Sequence, residues 1–183
     1  LHQRIGSTTV YVTHDQVEAM TMGSRVAVLK DGVLVQVDSS QNLYERPRNI
    51  FVATFMGSPS MNILDAELER RDGVGISYHG DFIPLNVDPA AGLGSRKLKF
   101  GIRPEHVLVA PHADSTSSGI AGTVSLVEVM GDESIVTVMC ERDSLRAKLR
   151  GFCRLRAGDR VQINAEPDFI HLFDAETSER IET

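Results

Sequence analysis

The chain has 183 residues, 42% of them hydrophobic and 24% charged, with 19 Lys/Arg against 25 Asp/Glu for a net charge of −6. A chain of this composition can bury a core, which excludes general disorder, and its acidic balance argues against a nucleic-acid footprint. No run approaches the roughly 18 apolar residues of a helical membrane span, and Cys140 and Cys153 are too few for a disulfide framework and lack metal spacing. The chain opens Leu-His-Gln-Arg without an initiator Met, which reads as entry partway into something longer.

Leu1 to Ile5 reads as a helix end closed by Gly6. Thr8 to Thr13 is β-branched and aromatic, the pattern of a strand buried on both faces in a parallel sheet. Gln16 to Met22 reads as a helix ending at Gly23, with Thr13 or Asp15 as its cap. Arg25–Lys30 and Val33–Val37 flank Asp31-Gly32, a strong hairpin signal because both turn residues need positive φ. Asp38-Ser39-Ser40 starts a short helix that Pro47 stops, and Asn49 caps a second through Met56. Gly57-Ser58-Pro59-Ser60 is a breaker cluster and sets a boundary. Charge changes at the same place: residues 1–55 hold five basic and five acidic groups, so residues 56–183 carry the whole net −6.

Beyond the boundary ten short apolar stretches alternate with turns: 62–68, 75–78, 82–87, 97–102, 106–109, 119–129, 134–140, 144–149, 160–165 and 170–173. Glycines between them, including Gly92, Gly94, Gly131 and Gly158, suit a small barrel or sandwich. Residues 114–119 read as a loop, and 56–110 and 119–175 as two β units that could be related.

His14 is the first candidate for chemistry. It follows the strand and precedes the helix, where α/β proteins place ligand groups, and an imidazole there can donate to a phosphate oxygen. A lone histidine at a strand end is more often structural. The other histidines form no HExxH or close ligand pair, there is no Gly-x-Ser-x-Gly elbow, and no Gly-Lys pair exists for a phosphate loop. Asp132-Glu133 after Gly131 reads as a solvated turn. Residues 142–160 carry seven basic groups against two acidic ones. On a barrel that could be an oligonucleotide face, but Phe152 is its one aromatic, and a solvated face or a rim for an acidic partner fits better.

The segment Tyr11-Val12-Thr13-His14-Asp15-Gln16-Val17-Glu18-Ala19-Met20-Thr21-Met22 resembles the switch-histidine segment of ABC transporter ATPases that drive carbohydrate import, the maltose-type import ATPases. Arg25 to Gly32 resembles their next hairpin, Leu43-Tyr44-Glu45-Arg46-Pro47 the helix after it, and Phe55-Met56-Gly57-Ser58-Pro59-Ser60-Met61-Asn62 the crossing into their regulatory domain. Gly101-Ile102-Arg103-Pro104-Glu105-His106, then Val127 to Glu133, Ala157-Gly158-Asp159 and His171-Leu172-Phe173-Asp174 follow in the family's order. Asp38-Ser39-Ser40-Gln41 stands where the family commonly has Gly-Thr-Pro-Glu.

The resemblance implies an α/β remnant of an ABC nucleotide-binding domain over 1–56. It implies an all-β regulatory and dimerisation domain over 57–183, with oligonucleotide-binding-type (TOBE/MOP-like) barrels. It gives His14 the γ-phosphate contact and places regulatory or dimer contacts at Arg103, Glu105, Glu128 and Gly131. It implies ATP and Mg²⁺ in the intact subunit, a homodimer, two membrane permease subunits, an extracytoplasmic solute-binding protein, a possible regulatory protein, no nucleic acid, and a peripheral place on the cytoplasmic face of the membrane. The solute is a sugar by this likeness, with glycerophosphodiester, polyamine and inorganic-ion importers as relatives. The chain holds no phosphate-binding loop, signature motif or Walker B acid, so by itself it is expected to bind no MgATP tightly and to turn none over. The other readings are a non-catalytic dimerising β module and, last, an oligonucleotide-binding protein.

Overall fold

A computed structural model describes residues 8–70, 73–86, 88–89, 97–111 and 119–182. The expected helix end at 1–6, Val87, the turns at Gly92 and Gly94 and the loop over 114–118 lie outside the described residues.

The chain begins with a small helical unit. Helix α1 (Gln16–Met22) starts at Asp15, whose Oδ1 accepts from the Val17 and Glu18 amides at 2.7 and 3.1 Å, so Asp15 is the cap. Strands β1 (Val26–Lys30) and β2 (Val33–Asp38) form the expected hairpin, with Asp31 at φ 51° and Gly32 at φ 79° in the turn. Ser39 caps α2 (Ser40–Glu45) and Asn49 caps α3 (Ile50–Phe55), each through a side-chain oxygen on the third amide onward. Val28, Leu43, Val52 and Met56 are the buried residues of this unit's core.

The expected strand over Thr8–Thr13 is absent. The segment makes no ladder, and Val10 and Val12 are each 87% exposed. A strand exists only where a neighbour takes its N–H and C=O groups, and β1 and β2 pair only with each other. The apolar run is real, but among the described residues nothing covers it.

From Asn62 onward the chain is antiparallel sheet. Strands β3 (Asn62–Arg70), β4 (Val74–Tyr78), β5 (Asp81–Pro84) and β6 (Lys97–Ile102) join β12 (His171–Asp174) and β13 (Arg180–Ile181) in the order β13-β12-β6-β3-β4-β5. Strands β7 (Val107–Pro111), β8 (Ile120–Met130), β9 (Glu133–Cys140), β10 (Asp143–Arg150) and β11 (Arg160–Ala165) form a second sheet, ordered β10-β9-β8-β11-β7. All ten apolar stretches read from the sequence contribute to strands, and among the described residues only β13 (Arg180–Ile181) lies outside the strands expected from the sequence.

One core serves both sheets. Leu64, Ile76, Tyr78 and Phe100 of the first pack in the same cluster as Val124, Val136, Val138, Leu145 and Ile163 of the second. Strands β3 and β9 show why: their burial alternates residue by residue, the period of a sheet with one face inward. Asn62 stitches the sheets at an edge. Its Nδ2 donates to the Ile102 and Arg146 carbonyls at 3.1 and 2.9 Å, and its Oδ1 accepts from the Arg146 amide at 2.8 Å. Tyr78 does the same elsewhere, donating to the Cys140 carbonyl at 2.9 Å and to Asp143 at 3.0 Å.

The helical unit is fixed to the sheets. Ala53 of α3 packs against Met61 and Phe173, Asn49 bridges to Glu179, and the Ile50 amide donates to the Ser178 carbonyl at 3.0 Å.

Candidate functional site

His14 lies in a loop whose other polar groups hold one another. Tyr11 Oη and Thr13 Oγ1 donate to Glu18 Oε2 at 3.1 and 2.7 Å, and the Asp15 amide donates to Thr13 Oγ1 at 3.0 Å. The hydrogen bond that the phenol donates to the Glu18 carboxylate, together with that carboxylate's charge, raises the pKa of Tyr11. With Asp15 committed to the helix amides, the exposed His14 imidazole is left without a partner among the described residues. The loop is therefore a braced turn that presents one free imidazole.

The junction between helices and sheets is built around Arg103, 1% exposed and the largest fully buried side chain among the described residues. Its Nη1 donates to the Met56 carbonyl at 2.7 Å, and Nε and Nη2 both donate to the Tyr44 carbonyl at 3.2 and 2.6 Å. The guanidinium lies 3.4 Å from the Tyr44 ring centroid, a cation–π contact. Burial lowers the Arg103 pKa, with Tyr44 and Glu105 opposing. The Tyr44 hydroxyl donates to Glu105, and burial, helped by that carboxylate, pushes it up to about 12. Gly57, at φ 111°, is the residue that fits here, because a Cβ would stand 3.0 Å from Arg103 Nη1 and 3.2 Å from the Tyr44 ring.

The structure thus brings Arg103 and Glu105 together with Tyr44, a partner that sequence reasoning quoted within a motif but did not single out. Arg103 spends its donors inside the chain, so any regulatory or dimer role it has acts through this junction. Glu128 is exposed on β8, and Gly131, at φ 74°, makes the β8–β9 turn with open space around it. The helical unit reaches the same junction from His14's side, since Gln16 Oε1 accepts from the Gly57 amide at 2.9 Å. In the basic stretch, Lys148 pairs with Glu133 at 2.9 Å, whereas Arg142, Arg146, Arg150, Arg154, Arg156 and Arg160 are exposed. Among the described residues no group of three His, Cys, Asp or Glu side chains could hold a metal ion, and no helix is long and apolar enough to cross a membrane.

Residues 57–107 match the family model of the MalK OB fold domain, and residues 100–173 that of the TOBE domain. Along 99% of its length the chain is 40% identical to the diacetylchitobiose uptake system ATP-binding protein MsiK of Streptomyces coelicolor, covering 52% of that protein. It is 43% identical to the xylose/arabinose import ATP-binding protein XacK of Haloferax volcanii, over 99% of this chain and 48% of that one. With the sn-glycerol-3-phosphate import ATP-binding protein UgpC of Chromobacterium violaceum it shares 40% identity over 100% of this chain and 48% of that one. The chain is a homologue of sugar-import ABC transporter ATP-binding subunits. It spans about half the length of these curated relatives.

In this import-ATPase homologue the two domain models divide the β structure unevenly. The OB match covers β3 to β6, whereas the TOBE match takes the whole second sheet and returns through β12 to the first. Arg103, Pro104, Glu105 and His106 fall within both matches.

Proposed function

We propose that this chain is the switch-histidine segment and regulatory region of an importer's ATP-binding subunit, which couples ATP hydrolysis to uptake of a sugar or related solute. The observation carrying this reading is its identity of 40% or more, over essentially its whole length, to relatives named as import ATP-binding proteins. Those names span a disaccharide derivative, pentoses and a glycerol phosphate, so the reading extends to the class of solute and no further.

Residues 1–56 belong, in this reading, to the nucleotide-binding part and 57–183 to the β-rich regulatory part. The intact subunit pairs with a second copy, two permease subunits and a solute-binding protein, at the cytoplasmic face of the membrane, and a regulatory protein docks on the β part. ATP with Mg²⁺ is its cofactor, and the nucleotide supplies the phosphoryl group whose transfer drives the cycle. His14 fits one contact to such a group: its imidazole is exposed, free and braced at the start of α1. It would hold a terminal phosphate oxygen by a hydrogen bond and orient it. The acids beside it are committed to hydroxyls and amides, so His14 offers its proton without a competing partner in the loop.

One imidazole is not a nucleotide site. Calorimetric titration of the 183-residue chain with MgATP, with phosphate release followed in parallel, is expected to give no tight (micromolar) binding and no turnover. Saturable binding with release would overturn the reading, because the residues assigned here to regulation would then be holding nucleotide.

A further inference from the structure

A cleft of about 490 Å³ lies where α2 meets the sheets, bordered by the turns Pro104–His106 and Pro167–Phe169 and by β12 and β13. Arg46, His106, His171 and Arg180 line it from four separate places in the chain. Among the described residues, three buried side-chain polar atoms lack a hydrogen-bond partner: His106 Nδ1, His171 Nδ1 and Arg180 Nε. All three belong to residues of this cleft. Buried polar atoms are satisfied in the large majority of cases, so three orphans around one cavity mark a place where partners are wanted.

The sign of that partner follows from the charges. The acids at the rim are engaged: Glu105 takes the Tyr44 hydroxyl, Asp168 accepts from Asn86 at 2.6 Å, and Glu45 accepts from Gln41 at 3.1 Å. Arg103 is committed to carbonyl groups. Arg180 is depressed by burial and then by the neighbouring Arg46, with only Glu182 in opposition. Glu45, Glu105 and Asp168 share the lining but already accept hydrogen bonds from within the chain, whereas His106, His171 and Arg180 keep buried atoms without partners and Arg46 adds a further cation. Donors left over in this way suit an anion, and their convergence from several elements suits a tetrahedral oxyanion better than a planar one. His106 stacks on Phe169 with centroids 3.7 Å apart, and Phe169 stays 40% exposed, which gives the cleft an apolar wall.

We propose that this cleft binds a phosphate group, free or esterified to a sugar-sized moiety, through His106, His171, Arg180 and Arg46. The occupant touches α2 on one side and β12–β13 on the other, so binding clamps the helical unit to the sheets. The inference stands on this cleft alone and does not depend on the role of His14.

Calorimetric titration of the 183-residue chain with inorganic phosphate, glucose 6-phosphate and glucose tests it. At least one phosphate-bearing probe is expected to bind with a dissociation constant of about 1 mM or tighter, and glucose not to bind. The His106 and His171 ring signals move in NMR spectra during that titration, and Arg180→Gln weakens binding about tenfold or more while the ligand-free melting temperature holds. Preference between the two phosphate probes separates the free ion from the ester. If Arg180→Gln does not fold, Arg46→Gln at the exposed end of α2 is the second variant, with a loss of about threefold or more. Silence of both phosphate probes up to about 10 mM, or unchanged affinity in the folded variant, overturns the proposal.

Discussion

His171 is a half-buried base whose neutral form is favoured. Burial first, then the charges of Arg180 on β13 and of Arg103 and His106 on the adjoining segment, bring its pKa down to about 4 from an ordinary 6.5. The folded state therefore binds fewer protons than the unfolded chain between those values, and unfolding free energy rises with pH across that window. His171's contribution is fully present above about pH 6.5 and is lost as pH falls toward about 4, at most about 3 kcal/mol for a shift of that size. His171→Gln, which cannot take the proton, is expected to flatten the denaturation midpoint between pH 4 and 6.5 relative to the parent chain. An unchanged pH slope would place the titrating group elsewhere. None of this was legible in the sequence, where the histidines form no close metal-ligand pair and His106 and His171 stand only as members of two family motifs. Their importance comes from chain segments 65 residues apart being folded against one cleft.

At the scale of elements, local chemistry carried most of the reading. Asp31-Gly32 makes a turn because its two backbone positions demand positive φ, and Asp15, Ser39 and Asn49 cap their helices because each has an oxygen within reach of the first-turn amides. The failure at Thr8–Thr13 is equally physical. Composition states that a segment favours a strand, whereas pairing decides whether one forms. Between elements, Arg103 is the decisive side chain. It satisfies the Tyr44 and Met56 carbonyls from β6's end and stacks on the Tyr44 ring. Arg103→Met keeps the bulk but leaves those carbonyls without their donors, at an expected cost of about 2–4 kcal/mol read as a lowered urea midpoint. A change below about 1 kcal/mol would show that the junction is held by the Ala53–Met61–Phe173 packing alone.

Across the whole molecule, the sequence revealed the order of units more fully than their joining. The breaker cluster at Gly57–Ser60 and the switch from helical to β pattern were visible, and so were ten of the strand segments. That both sheets share one core, and that β12 and β13 return to the first sheet beside the helices, was not, because antiparallel ladders between distant segments leave no local signature. The braced loop around His14 was half legible: position and resemblance singled out the histidine, while the mutual engagement of Tyr11, Thr13, Asp15 and Glu18 beside it arises only in the folded turn. If His14 serves phosphoryl transfer in the intact subunit, as proposed, His14→Ala there should change steady-state hydrolysis without changing nucleotide affinity. An MgATP affinity within about threefold of the parent is expected, with turnover reduced about 100-fold or more, the range for a lost positioning or proton-handling group. Parental turnover with His14 removed would contradict that proposal.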